Sequence, residues 1–166
     1  MEFWLRAPTP AIRQCAEAIQ GMLSENLGIT VQIIQQDMPS YMDRMYQWDI
    51  PAGMIRFGPD FPDPHSNLGM LWRSQSRGTA RHDWNNSQFD DLVDRAARTM
   101  DPNERLSLYD ESQRILSEDV GAVFIFHEIV SELRKPWLKG VARSKYGTYS
   151  FPYLTEIYIG SEILSP

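Results

Sequence analysis

The sequence predicts an α/β fold: a mostly parallel central sheet flanked by helices, in a single lobe spanning residues 1–166. Two observations carry this expectation. Between residues 2 and 58, apolar strand-like runs alternate with segments of helical period, in the order β-α-β-α-β. That order builds a parallel sheet with helices on its faces. The chain of 166 residues also has the size of one domain, and its 42% hydrophobic and 11% aromatic content is enough to enclose a core.

The elements follow in order. "EFWLR" (2–6) is short, apolar and aromatic, a strand. The next segment is a helix with Thr9 as N-cap, Pro10 at the first helical position and Gly28 as the stop. Its apolar residues Ile12, Cys15, Ala16, Ile19, Met22 and Leu23 fall at spacings of three and four. "ITVQIIQQ" (29–36) is β-branched and strand-like, "PSYMDRMYQW" (39–48) a short helix starting at Pro39, and "AGMIRFG" (52–58) a third strand. The stretch "SNLGMLWRSQSRGTARHDWNN" has no sustained period and reads as mostly loop. "SQFDDLVDRAARTM" (87–100) is an amphipathic helix with Phe89, Leu92, Val93, Ala96 and Ala97 on one stripe. In the helix after it, Asp101, Pro102 and Glu104 form a capping-box arrangement, and Leu106, Tyr109, Gln113 and Leu116 run down one face. "GAVFIFHEIVSELR" (121–134) reads as a buried strand passing into an extended segment, "KPWLKGV" as a turn, and "YLTEIYIG" (153–160) as a closing strand.

Charge narrows the function. A net charge of −6 and a pI near 5.0 exclude nucleic acid as a partner, since there is no cation excess to neutralise phosphates. No basic amphipathic helix offers itself to lipid, and no apolar run reaches the roughly 18 residues of a membrane span. One cysteine, Cys15, excludes an intramolecular disulfide. The opening "MEFWLRAPTPAIRQ" contains no signal-peptide core. The expectation is therefore a cytoplasmic protein or a chain that begins inside a longer one.

Parallel sheets bind ligands beyond the carboxyl ends of their strands. "AGMIRFGPDFPDPHSN" (52–67) leaves the third strand at that end, and Arg6 leaves the first strand there too. Asp60 and Asp63 are candidates for a carboxylate pair. However, Pro59, Pro62 and Pro64 hold the segment extended, and a spacing of three then sends the two side chains to opposite sides. With His65 they spell D-x-x-D-x-H, a set of metal-type donors at a spacing that matches no common site. A small metal-dependent enzyme using the 60–65 loop is the alternative from a different class. Asp60 alone, among Phe57, Phe61 and the prolines, suits a cationic ligand; it equally suits capping a helix-like turn around 65–71. His82 and His127 show no triad logic, and His127 reads as a core-edge residue. Arg73, Arg77 and Arg81, spaced by four, either line an anionic pocket or lie on solvated surface, with surface favoured. Nucleophile-elbow and phosphate-loop motifs are absent, so neither an enzyme nor a cofactor is expected.

Several blocks together resemble one family. "FGPDFPDPHSNL" is similar to the W-G-x-D-Y-x-D-P-x-x-F/L motif of family 5 extracytoplasmic solute-binding proteins. "AEAIQGMLSENLGITVQIIQQD" resembles that family's A-x-x-I-Q-x-x-L-x-x-x-G-I-x-V segment. "WNNSQFDDLVDRAARTMDPNERLSLYDESQRIL" resembles its N-x-x-F-D-x-L…D-x-x-x-R-x-x-x-Y-x-x-x-Q-x-I-L signature. The resemblance implies a periplasmic-binding-protein type II-like lobe, the C-terminal part of a longer two-lobed protein that delivers peptides to the transmembrane subunits of an ABC importer. Its N-terminal lobe would then be a partner, and its place extracytoplasmic. By the same resemblance Asp60 binds the peptide's α-ammonium group, Gly58 is the motif's glycine, and Phe57 flanks the peptide where relatives usually carry Trp. Arg6 falls where dipeptide readers place the arginine that pairs with the ligand carboxylate. Met38 stands where relatives have an aromatic. The family also contains readers of nickel chelates, haem and sugars, the alternative within it.

Overall fold

The computed structural model describes residues 1–77, 81–127, 129, 133–141 and 156–160. Strands β1 (Glu2–Arg6), β2 (Gln32–Gln36) and β3 (Gly53–Met54) form a parallel sheet in the order β2-β1-β3. Helix α1 (Pro10–Leu27) connects β1 to β2, and α2 (Met38–Tyr46) connects β2 to β3. β1 is therefore central, with α1 and α2 covering its opposite faces.

Alternation along β1 sorts the core into two layers. Phe3 and Leu5 face α1, where Ile12, Ala16, Val31 and Met54 complete a buried cluster. Trp4 points the other way, onto Tyr41 and Met45 of α2. The predicted caps of α1 are in place. Thr9 accepts from the Ile12 amide, and Gly28 takes the left-handed conformation at φ 65°. There the Gly28 and Ile29 amides donate back to Ser24 and Leu23, closing the helix. Met22 lies off the buried stripe and is exposed.

A third cluster lies in the second half. α3 (Pro64–Asn67) and α4 (Gly69–Trp72) fall where a helix-like turn is expected around 65–71, overlapping the start of the stretch read as mostly loop; Asp63 and Pro64 start α3 in the way a longer helix is started. α5 (Ser87–Arg98) and α6 (Pro102–Glu118) then pack as a pair, burying Phe89, Leu92, Val93 and Ala96 against Leu108, Tyr109, Ile115 and Leu116. Ala97 is exposed. The buried stripe of α6 is centred on Ser112 rather than on the expected line, leaving Leu106 and Gln113 outside. A serine at the centre of an apolar stripe hides it from a hydrophobicity pattern. Its hydroxyl is satisfied by the Tyr109 carbonyl at 2.8 Å.

Two other expectations are corrected. β3 pairs only over Gly53–Met54, not 52–58. Residues 122–127 form no strand, and Val123, Phe124, Ile125 and Phe126 are exposed, as is His127. Their apolar character marks a strand in sequence, but among the described residues no strand pairs with them. β4 (Leu138–Lys139) and β5 (Tyr158–Ile159) make a short antiparallel pair; the rest of the expected closing strand, 153–155, lies outside the described residues. Among the described residues no helix is long and apolar enough to cross a membrane.

The two glycines of α1 and its cap should respond with opposite sign. A Cβ at Gly21, inside the helix, meets nothing within 4 Å among the described residues, so Gly21→Ala should stabilise by about 0.5–1 kcal/mol. Gly28→Ala should destabilise by about 1–2 kcal/mol through its left-handed backbone. Urea unfolding midpoints of the two variants would move in opposite directions.

Candidate functional site

Because β1, β2 and β3 are parallel, their carboxyl ends share one edge. Arg6 is the last residue of β1. Ala7 follows in a left-handed conformation at φ 38°, held by its amide's 2.8 Å hydrogen bond to the Gln36 carbonyl at the end of β2. From this edge Arg6 Nη2 donates to the Arg56 carbonyl at 2.7 Å, while Nη1 reaches Met42 Sδ at 3.7 Å. Its guanidinium lies 5.6 Å from the centre of the Phe57 ring, and that of Arg81 lies 5.2 Å from the same ring.

These groups surround a cleft of about 270 Å³, also lined by Gly58, Asp60, Ser66, Asn67, Met70 and Leu71. Arg6, Phe57, Gly58 and Asp60, the four candidates from sequence, thus share one cavity. Burial lowers the Arg6 pKa from its ordinary value, and repulsion from Arg56 and Arg81 acts in the same direction. Burial raises the pKa of the Tyr41 hydroxyl, and the charge of Arg6 opposes this.

The 59–66 loop is held from below. The Asp60 amide donates to the buried Ser66 hydroxyl at 2.9 Å. Asp63 is the N-cap of α3, accepting from the His65 amide at 2.8 Å. It also accepts from Arg105 of α6 at 2.6 Å, and Tyr109, one turn along α6, meets both Arg105 (3.2 Å) and His65 Nδ1 (3.0 Å). Asp63 and His65 therefore serve an anchor between loop and helix, and neither lines the cleft. This corrects the reading of Asp60, Asp63 and His65 as one acid–base or metal set; among the described residues no group of three His, Cys, Asp or Glu could hold a metal ion. It also corrects the cap reading: Asp63 caps the turn, and the Asp60 carboxylate stays exposed in the cleft with no protein hydrogen bond or ion pair among the described residues.

The three arginines spaced by four diverge. Arg73 makes a two-pronged pair with Asp94 at 2.8 and 2.9 Å, and Arg77 bonds the Gln47 carbonyl and Asp49. Arg81 alone of the three lines the cleft. His82 sits between the Leu71 and Trp84 carbonyls at 2.8 and 3.0 Å, stacked on Trp72, and fixes the chain next to Arg81. Sequence reasoning missed the Arg105–Asp63 anchor, although Arg105 and Tyr109 at i and i+4 on a well-capped helix are the signal for it.

The anchor has a definite acid response. The Arg105 hydrogen bond, helped by the His65 amide and opposed by burial, holds the Asp63 carboxyl below its ordinary 3.8. A depressed folded pKa contributes stability that is complete above the unfolded value and is lost as pH falls through the folded one. Asp63→Asn should therefore lower unfolding free energy by roughly 1.5–3 kcal/mol at neutral pH, the range for a hydrogen bond to a charged group. Its deficit should shrink below pH 3.8. Urea unfolding of both proteins at neutral and acid pH measures this.

No protein-family profile matches the chain. It is similar to the periplasmic oligopeptide-binding protein OppA of Escherichia coli, 23% identical over 128 residues, covering 77% of this chain and 23% of that protein. It is also similar to heme-binding protein A of Haemophilus influenzae, 26% identical over 155 residues, covering 90% of this chain and 28% of that one. The chain thus spans about a quarter of the length of these relatives. Among solved structures, the Escherichia coli murein tripeptide binding protein MppA shares the fold with a TM-score of 0.78 at 22% identity, over 96% of this chain and 30% of that one. Together, the matched sequences and the shared fold make the chain similar to the family 5 extracytoplasmic solute-binding proteins, with the type II binding-protein fold.

Proposed function

We propose that the chain is one lobe of a two-lobed protein that captures peptides for an ABC importer outside the cytoplasm, with no catalysis of its own. The observation that carries this reading is the presence of Asp60 and Arg6 in one cleft without an ion pair between them. A carboxylate and a guanidinium kept apart in one cavity are matched to the two ends of a zwitterion. Asp60 receives the α-ammonium group, Arg6 the carboxylate of a short ligand, and the Phe57 ring flanks the backbone between them. A Cβ at Gly58 would meet nothing within 4 Å among the described residues, which leaves room for a ligand over that residue. The other lobe closes over the ligand by a hinge motion, as in binding proteins that close around their ligands. Similarity to an oligopeptide-binding protein supports a peptide as the ligand. Similarity to a heme-binding protein favours a second reading, a non-peptide solute with no ammonium group, for which Asp60 would be dispensable.

Calorimetric titration of the two-lobed protein with free and N-acetylated peptides, for wild type and Asp60→Asn, separates the two. On the peptide reading, acetylation or substitution each weakens binding by roughly tenfold to a hundredfold, the loss of one charge-assisted hydrogen-bonded contact. Equal affinities in all four combinations overturn the ammonium anchor and favour the non-peptide solute.

A further inference from the structure

A zwitterion does not match all the cations of this cleft. Among the described lining residues Asp60 is the sole carboxylate, whereas three arginines, Arg6, Arg56 and Arg81, line the cleft, and of these Arg6 and Arg81 share the Phe57 ring. The hydrogen bonds of Arg6 end on uncharged acceptors, the Arg56 carbonyl and the Met42 sulfur. The contact of Arg81 is with the face of Phe57. Neither forms an ion pair with a protein carboxylate among the described residues. The contrast with their neighbours is direct: Arg73 and Arg77 are met by Asp94 and Asp49.

Two guanidinium groups on one aromatic ring, at 5.6 and 5.2 Å from its centre, repel each other in a partly desolvated cavity. The repulsion by Arg81 is felt at Arg6, adding to the effect of burial on its pKa. Phe57 offsets part of this cost by presenting its ring to both planar groups. His82, clamped between two carbonyl oxygens, keeps the backbone beside Arg81 in position. If Asp60 holds an ammonium group and Arg6 a carboxylate, Arg81 has no counter-charge until a second anion arrives.

We infer that this cleft selects ligands carrying an anionic group beyond the terminal carboxylate, and that Arg81 is the residue that reads it: within the peptide reading, on which this rests, the preferred ligands are peptides with an acidic side chain. Arg81 is a specificity-determining residue, distinct from the two that grip the ends.

The test compares a glutamate-containing peptide with its glutamine isostere, titrated into the two-lobed protein as wild type, Arg81→Gln and Arg81→Lys, with succinate as a dicarboxylate lacking an ammonium group. Wild type should favour the glutamate peptide by roughly tenfold or more, as expected for a guanidinium–carboxylate contact. That ratio should shrink with added salt, collapse towards one in Arg81→Gln and be partly kept in Arg81→Lys. A wild-type ratio near one, or an equal ratio in wild type and Arg81→Gln, overturns the inference while leaving peptide binding intact. Failure of both peptides together with Arg81-dependent binding of succinate would remove the peptide reading and uphold Arg81 as an anion reader.

Discussion

The placement of β1 between two parallel partners is the constraint on which the rest depends. Paired on both edges and covered on both faces, with Leu5 fully buried, β1 has no freedom to shift without exposing one layer of the core to the other side. Its last residue, Arg6, inherits that rigidity. The left-handed backbone of Ala7 turns the chain away at once, so the strand ends where the cleft begins. Strained residues persist where their surroundings over-determine them, and here the Gln36 carbonyl and the sheet do so.

The other wall of the cleft needs separate support, because β3 is only two residues long and the loop after it is not part of the sheet. That support comes from the α5–α6 pair. Arg105 reaches the loop through Asp63, and Tyr109, buried in the helical core, holds both Arg105 and His65. The division of labour between two nearby aspartates follows. Asp63 is committed to a helix N-terminus and a guanidinium, while Asp60 contributes only its amide to the scaffold and keeps its carboxylate for the cleft.

What was legible in the sequence follows the range of the interactions involved. Thr9, Pro10 and Gly28, or Asp101 and Pro102, act on amides within a turn of themselves, and the helices begin and end where these residues say. Arg6, Phe57, Gly58 and Asp60 were legible because strand ends of a parallel sheet converge and because the motif resembles a known one. Arg81 was not: it comes to Phe57 from a different segment, with the same spacing from Arg77 that Arg77 has from Arg73, and only the fold separates their partners. The stripe of α6 was misread because the serine at its centre is buried by a local hydrogen bond that hydrophobicity does not register. The run 122–127 was misread for the opposite reason. It has the composition of a strand, but composition supplies no partner, and a strand exists only in pairs.

On the peptide-binding reading proposed above, these features bear on how a single lobe could serve capture. Its cleft is open and supplies mainly charge and orientation: one carboxylate, an aromatic face and guanidinium groups from β1 and the loops. Half-buried or exposed charges in a cleft open to water are still partly screened, and they gain strength as the water is removed. Closure of a second lobe would remove it, strengthening every contact at once and giving the ligand with the best-matched charges the largest gain. On that view, specificity resides in the arrangement of Arg6, Asp60 and Arg81, and affinity in the closing. The mutual repulsion of Arg6 and Arg81 then has a use. An ill-matched ligand leaves the two cations facing each other as the dielectric falls, so closure around it is opposed by the same charges that favour closure around a matched one.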